Sequence, residues 1–257
     1  VNLFIMPLKI FKKESQADGN FNSGEILEKK PIGFPQDSGL LKPYSNLFYW
    51  AHAWAPDKTS LIGLHPHRGF EICSFILKGE IEHYDTLLDK WITLKQGDVQ
   101  VIKSGKGISH SEKLLSGSEI FQIWFDPNIQ ESLYIDPCYN DFKFHEFSLI
   151  HNNGIEKKII SDEQNQINLD SSGIQIFQYK FNDGIYDHLI KDLCFHSIFI
   201  LSGNLTINEK VFDVGDFLVI DSEKKIQLST KNNCKIFEII SPIKLPYKTY
   251  AEVHNVN

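Results

Sequence analysis

Short apolar runs alternate with glycine-containing polar breaks along this chain, most regularly between residues 48 and 125. The runs are rich in aromatic and β-branched residues and lie at 48–54, 70–77, 81–85, 91–94, 99–102 and 120–125. Turn sequences such as Lys78-Gly79-Glu80 and Gln96-Gly97-Asp98 separate them. Runs of this length bounded by glycine are typical of β-strands, and many short strands in succession predict an all-β barrel or sandwich.

Composition and charge argue against several classes of protein. The 257 residues, 42% of them hydrophobic, suffice for one large all-β domain or two smaller ones. A net charge of -7 argues against a nucleic-acid-binding surface, which needs clustered Lys and Arg. No apolar run approaches the roughly 20 residues of a membrane helix. The first seven residues lack the basic start of a signal peptide, and the four cysteines are scattered, so we expect a cytoplasmic protein with reduced thiols. We also expect a monomer.

Two segments carry candidate metal ligands at the same spacing. His65 and His67 are two residues apart, and so are His110 and Glu112. Alternate side chains of a strand lie on one face, about 7 Å apart, so two strands of a barrel can direct all four groups to one interior point. Three imidazoles and a carboxylate in an apolar interior form a transition-metal site. The alternative is two ordinary polar strand faces, which rarely repeat this histidine spacing.

Glu71 competes with Glu112 for the carboxylate position. Glu71 lies four residues beyond His67, about 13 Å along an extended strand, whereas Glu112 is one alternation from His110. We therefore expect Glu112 to be the ligand and Glu71 to lie outside the coordination sphere. His83 is expected outside it as well. Arg68 is expected to face outward or form an ion pair, with substrate anchoring as the less favoured alternative.

The second half of the chain weakly repeats the first. Residues 75–80 resemble 199–204, and Gly97-Asp98 resembles Gly215-Asp216. The offsets carry the four ligand positions to residues without the required donors: Leu189, Lys191, Leu228 and Thr230. We therefore predict two similar domains with a boundary near 135–145, a metal-binding domain over residues 1–138 and a domain without metal ligands over 139–257.

The block from His65 to Glu112 closely resembles the pirin family of the cupin superfamily. The matching segments are His65-Pro66-His67-Arg68-Gly69-Phe70-Glu71, Gly79-Glu80, His83-Tyr84-Asp85, Gly97-Asp98-Val99-Gln100, and Ser104-Gly105-Lys106-Gly107-Ile108-Ser109-His110-Ser111-Glu112. The resemblance implies two cupin-type β-barrels (a bicupin) with few short helices. It also implies one metal, usually iron, in the first barrel, held by His65, His67, His110 and Glu112. The segment Val101-Ile102-Lys103 departs from the family's pattern, which has a bulky aromatic residue and Met there.

Coordination number decides what such a site could do. Four protein ligands fill a tetrahedral Zn²⁺ site, whereas six-coordinate Fe or Mn keeps about two positions open. We expect Fe(II), with Mn, Ni, Co, Cu or Zn as alternatives. The resemblance then implies a dioxygenase that takes O₂ and a quercetin-like flavonol or enolic aromatic substrate, in which Glu112 could act as general base. The alternative is a regulatory protein of the transcriptional co-regulator type, which binds a protein partner according to the metal's redox state.

Overall fold

The computed structural model describes residues 8–255, and β-strands make up most of them. The first seven residues, whose composition argued against a signal peptide, lie outside the described part of the chain. The elements in chain order are β1 (Leu8–Phe11), β2 (Ala17–Phe21), β3 (Ile26–Ile32), β4 (Leu47–Trp54), β5 (Ser60–His67), β6 (Glu71–Lys78), β7 (Glu80–Asp85), β8 (Lys90–Lys95), β9 (Val99–Lys103), β10 (Ile108–Leu114), β11 (Glu119–Phe125), α1 (Ile129–Ser132), β12 (Cys138–Phe142), β13 (Ser148–Asn152), β14 (Ile155–Ser161), β15 (Gln175–Phe181), β16 (Gly184–Leu189), β17 (Cys194–Ser202), β18 (Leu205–Ile207), β19 (Lys210–Phe212), β20 (Phe217–Ile220), β21 (Lys225–Thr230), β22 (Cys234–Pro242) and α2 (Tyr250–Val253). Three short 3₁₀ turns, at Lys13–Ser15, Asn22–Gly24 and Phe144–Glu146, complete the described elements.

The strands form two compact units. The N-terminal unit comprises residues 16–146, 169–172 and 246–255, and the C-terminal unit comprises 8–15, 147–168 and 173–245. Each unit consists of a seven-stranded and a four-stranded sheet in the cupin manner, and the sheets do not close into a continuous barrel. The predicted all-β, two-cupin fold with few short helices is confirmed, although each half is a two-sheet sandwich.

In the N-terminal unit the seven-stranded sheet has the order β12-β9-β6-β11-β4-β3-β2, and the four-stranded sheet has the order β5-β10-β7-β8. Side chains from both sheets share one core cluster, which includes Ile76 and Ile120 on the larger sheet and Ile81, Leu94 and Leu114 on the smaller one. The sheets therefore pack face to face. The predicted metal-ligand segments lie on neighbouring strands, β5 and β10, of the smaller sheet.

In the C-terminal unit the larger sheet has the order β1-β20-β17-β22-β15-β14-β13, and the smaller has the order β16-β21-β18-β19. The edge strand β1 comes from the start of the described chain and pairs antiparallel with β20. The core again joins both sheets, with Ile198 and Ile236 on one side and Leu205 and Leu228 on the other.

Neither α-helix of residues 8–255 is long and apolar enough to cross a membrane.

Asp126 accepts a hydrogen bond from the backbone of α2. Its carboxylate accepts a backbone N–H from Ala251 at 3.4 Å, and its side chain is almost fully buried. Burial raises the pKa of Asp126 to about 7, because few groups near it stabilise the charge. A raised acid pKa means that the folded state holds a proton that the unfolded state releases between the ordinary pKa of 3.8 and about 7.

Asp126→Asn should therefore stabilise the protein at alkaline pH. The protonated Asp126 side chain contributes fully to the unfolding free energy below its ordinary pKa of 3.8, and this contribution is lost as pH rises through about 7. We expect the variant to gain about 2 kcal/mol in unfolding free energy at pH 8 and to match the wild type at pH 4. Urea unfolding at the two pH values measures this, and an equal effect at both would contradict it.

Candidate metal centre

Antiparallel pairing of β5 and β10 brings the three predicted histidines together. His65 lies opposite His110, and His67 lies opposite Ile108. One ring nitrogen from each of His65, His67 and His110 lies within 4.8 Å of the other two. The ring centroids are 4.4–4.7 Å apart. We call these three residues the histidine triad.

The ring nitrogens of the triad are arranged as metal ligands would be. His65 Nδ1 donates to the carbonyl of Gly63 at 2.7 Å, which leaves the Nε2 lone pair of His65 free. That Nε2 lies 3.0 Å from His110 Nε2. His67 Nε2 and His110 Nδ1 are buried without any hydrogen-bond partner. Buried polar atoms are nearly always paired, so the orphaned His67 Nε2 indicates a missing partner such as a cation. His110 faces His65 through its other nitrogen, Nε2.

His67 and His110 are neutral at ordinary pH. Burial, with smaller contributions from the neighbouring His110 and His65 imidazoles, lowers the pKa of His67 to about 3. Burial also lowers the pKa of His110 to about 3, followed by the effect of His65. Neutral imidazoles present lone pairs rather than protons, which is the state that binds a metal ion.

Glu112 lies next to the triad but belongs to a second group. One of its oxygens lies within 4.8 Å of ligand atoms of His110 and His83. Its carboxylate accepts from Ser74 Oγ at 3.1 Å and from Gln122 Nε2 at 2.6 Å. Trp124 Nε1 in turn donates to Gln122 Oε1 at 3.2 Å. The carboxylate thus points from β10 toward the larger sheet, where Ser74 and Gln122 fix its orientation.

A register shift between β10 and β5 accompanies this separation. His110 pairs with His65, but Glu112 pairs with Ile62 because the register of β10 with β5 shifts between the two residues. On its other side, Glu112 lies opposite His83 of β7. The i, i+2 spacing alone does not reveal such a shift.

His83 is held by hydrogen bonds at both nitrogens. Gln100 Nε2 donates to His83 Nδ1 at 3.2 Å, so His83 Nε2 carries the proton and donates to Asp85 at 2.8 Å. The ring also stacks on Tyr139 at 4.9 Å. Neither nitrogen of His83 retains a free lone pair, which favours the histidine triad over the group that contains His83. Gln100 belongs to a segment that matches the family pattern, whereas no sequence pattern pointed to Ser74 or Tyr139.

Four other residues of this unit are not members of the histidine triad. Glu71 is buried and accepts the backbone N–H groups of Asp170 and Ser171 at 2.7 and 2.8 Å. Arg68 is exposed and lines a cavity together with His67. The Trp124 ring lies 4.8 Å from His67 in an edge contact. Cys73 is a free, fully buried thiol whose pKa burial raises well above its ordinary value.

Two glycines bring the chain into β10. Gly105 has φ +50°, and a Cβ there would lie 2.3 Å from the carbonyl oxygen of Ile135. Gly107 has φ +142°, also disfavoured for residues with side chains. The turn before His110 therefore requires both glycines.

The C-terminal unit has no comparable triad at the matching positions. In the N-terminal unit Glu112 lies opposite His83, and His83 is four residues after Gly79. In the C-terminal unit Leu228 lies opposite Ile207, and Ile207 is four residues after Gly203, so Leu228 corresponds to Glu112. By this register His110 matches Ile226, and His65 matches His188, which lies opposite Ile226. The sequence offsets assigned Leu189 and Leu228 to the positions of His65 and His110. These assignments differ from the strand register by one residue on β16 and by two on β21.

His188 instead joins a buried cluster with His196 and Glu238, whose ligand atoms lie within 4.8 Å of one another. Glu238 Oε1 lies 2.9 Å from His188 Nε2 and 2.8 Å from His196 Nδ1. The backbone N–H of Lys191 donates to His196 Nε2, so His196 Nδ1 carries the proton and donates to Glu238. In this tautomer His196 offers no lone pair to a metal ion, and we describe the cluster as a hydrogen-bonded ion pair.

Residues 41–125 match the model of the Pirin family. This segment, about a third of the chain, contains the whole histidine triad and Glu112. Among curated relatives, the putative quercetin 2,3-dioxygenase ZMO1337 of Zymomonas mobilis is 43% identical over 29% of this chain and 31% of its own length. Pirin-like protein 2 of Arabidopsis thaliana is 36% identical over 38% of this chain and 30% of its own. The matches thus span about a third of these relatives.

Solved structures extend the likeness to nearly the whole chain at the level of fold. Bacterial pirin YhhW from Escherichia coli in complex with nickel(II) superimposes with a TM-score of 0.73, 22% identity, and coverage of 91% of this chain and 99% of that one. GK1651 from Geobacillus kaustophilus gives a TM-score of 0.76 at 17% identity, covering 93% and 98%. Both halves of the pirin-like chain therefore share the fold of solved bacterial proteins.

Proposed function

We propose that this pirin-like protein is a metal-dependent dioxygenase that opens an aromatic or enolic substrate of the quercetin type. The observation that carries the proposal is the histidine triad, in which the buried His67 Nε2 lacks any hydrogen-bond partner. His65, His67 and His110 would hold one divalent metal, with Glu112 as a fourth ligand that can leave it. Relatives that are named quercetin 2,3-dioxygenases support the substrate class.

Three nitrogens and one oxygen fit Fe(II), and we propose iron, with Mn, Ni, Co, Cu and Zn as alternatives. The bound metal would supply a site that takes up substrate oxygen and O₂ and changes oxidation state. The protein's own contribution is orientation and proton transfer. Gly63 fixes the tautomer of His65 through a 2.7 Å hydrogen bond. Ser74 and Gln122 hold the Glu112 carboxylate where it can accept a proton from a substrate hydroxyl.

The cavity beside His67 favours catalysis over a purely regulatory role. Its volume of about 410 Å³ accommodates a small organic molecule. A redox-dependent regulator needs no such space. Regulatory binding to a protein partner, a monomeric state and a cytoplasmic location stay predictions.

Metal analysis followed by oxygen uptake tests the proposal. The protein loaded with iron should contain one equivalent and consume O₂ with quercetin. His67→Ala should weaken metal binding at least tenfold and remove the uptake, because one of three nitrogen ligands is lost. His151→Ala, a change at an exposed histidine of the C-terminal unit, is the matched control and should alter neither. A wild-type protein with a full iron site and no uptake with quercetin would refute the proposed reaction.

A further inference from the structure

The cavity that includes His67 is lined by several hydrogen-bond donors and by no acidic side chain of the described residues. Besides His67, its polar side chains are those of Arg68, Thr86 and Ser109, and no carboxylate belongs to it. Thr86 Oγ1 accepts the backbone N–H of Ser109 at 3.2 Å, so its hydroxyl proton remains available to another acceptor. The wall therefore offers donors and lacks anionic acceptors, which suits a ligand rich in acceptor oxygens.

Arg68 is the charged member of this wall. It is the only arginine among the 257 residues, in a chain where 33 acidic residues outnumber 26 basic ones. Its side chain is exposed, and no hydrogen bond or ion pair of it is found within residues 8–255. Most other cations that flank strands of this unit are paired, as Lys103 is with Asp170 and Lys106 with Asp136.

An unpaired guanidinium next to a candidate metal ligand has a direct chemical consequence. The group is charged at every physiological pH, and its planar fork matches the two oxygens of a carboxylate. Charge-assisted hydrogen bonds of this kind are about twice as strong as neutral ones. The net charge of -7 repels anions at long range, so a local cation is required to retain one in the cavity.

We propose that Arg68 determines specificity in this cavity. It selects small ligands that carry a carboxylate, or an ionised enol oxygen, in addition to the oxygens that bind the metal. Neutral aromatic diols would bind the metal without using Arg68. The inference rests on the proposed metal site and names the charge class of its substrate.

A matched pair of diols tests this selectivity by binding rather than turnover. Protein loaded with Co(II) is titrated with 3,4-dihydroxybenzoate and with 4-methylcatechol, and binding is followed by the cobalt absorption bands. The two ligands share the metal-binding diol and differ in the carboxylate. Arg68→Gln should weaken the binding of 3,4-dihydroxybenzoate about tenfold and change the affinity for 4-methylcatechol less than twofold. Arg68→Lys, which keeps the charge without the fork, should recover part of the loss.

Lys106→Gln is the control, because it removes a neighbouring cation that Asp136 already neutralises, and it should affect neither ligand. Equal losses for both diols in Arg68→Gln, or no loss for either, would overturn the selectivity. Cobalt uptake is measured first. Failure of uptake in the wild type overturns the proposed metal site and this inference together, whereas full uptake without charge discrimination overturns this inference alone.

Discussion

Glu112→Gln is expected to keep most of the bound metal while lowering turnover about a thousand-fold, the typical contribution of a general base. The glutamine can replace the carboxylate in its hydrogen bonds. Trp124 fixes the Gln122 amide, so Gln122 Nε2 must donate to residue 112. A glutamine there can accept that bond with its oxygen and direct its NH₂ group to Ser74 Oγ, which is able to accept. The variant therefore loses the proton acceptor without leaving a buried group unpaired.

The measurement compares metal content with O₂ consumption in the same preparation. Glu82→Gln provides the control, because it is the same chemical change on neighbouring β7, in a residue that forms a partly exposed ion pair with Lys113. It should alter turnover less than twofold. If turnover in Glu112→Gln fell only in proportion to its metal content, Glu112 would act as a ligand alone and the base role would be rejected.

Local pattern was sufficient to predict the strands and the shared face of the histidines. The apolar runs at 70–77, 91–94 and 120–125 correspond to the strands Glu71–Lys78, Lys90–Lys95 and Glu119–Phe125, and the glycine-containing breaks between strands are turns. Alternation along β5 and β10 places the triad on one side because the period of a strand is two. Whether two such strands become neighbours is a property of topology, and here the family resemblance supplied it.

Non-local partners could not be predicted. Glu71 binds the backbone of Asp170 and Ser171, about a hundred residues away, and no local pattern marks either segment. Glu112 lies opposite His83 because β10 pairs with β7, and no local sequence pattern shows which strand becomes the neighbour of β10.

The weak repeat shows the same limit. Matching turns correctly related the two halves, but loops of different length displaced the transferred positions by one or two residues. That displacement concealed His188, which occupies the position of His65. A one-residue slip reverses the face of a strand, so a turn-based alignment cannot locate side chains.

Glu238→Gln should destabilise the C-terminal unit by about 3 kcal/mol, because it removes the anion of a buried pair and leaves its partners in place. Glu238 and His196 are almost fully buried. Burial opposes the charge on Glu238, yet His188 and His196 together hold the pKa of this carboxyl well below its usual range. Burial likewise opposes charge on His188, but Glu238 prevails and raises the pKa of His188.

The two shifts define a pH window. The lowered pKa of Glu238 gives stability that is present above the ordinary carboxyl value of 4.5 and is lost on acidification through the folded value. The raised pKa of His188 gives stability that is present below the ordinary imidazole value of 6.5 and is lost as pH rises through the folded value. The difference between wild type and Glu238→Gln should therefore be largest between pH 4.5 and 6.5.

Hydrogen exchange of the β17 and β22 amides in increasing urea measures the loss in this unit. All four tryptophans, Trp50, Trp54, Trp91 and Trp124, belong to the N-terminal unit, so tryptophan fluorescence reports the other unit in the same sample. Glu156→Gln is the matched control, since Glu156 pairs with His151 at the surface and should contribute less than about 0.5 kcal/mol. A loss in Glu238→Gln below 1 kcal/mol, or one independent of pH, would show that the buried histidines do not depend on the Glu238 charge. The expected contrast between the buried and the surface Glu–His pair follows from solvent screening, which weakens the exposed attraction and leaves the buried one almost unscreened.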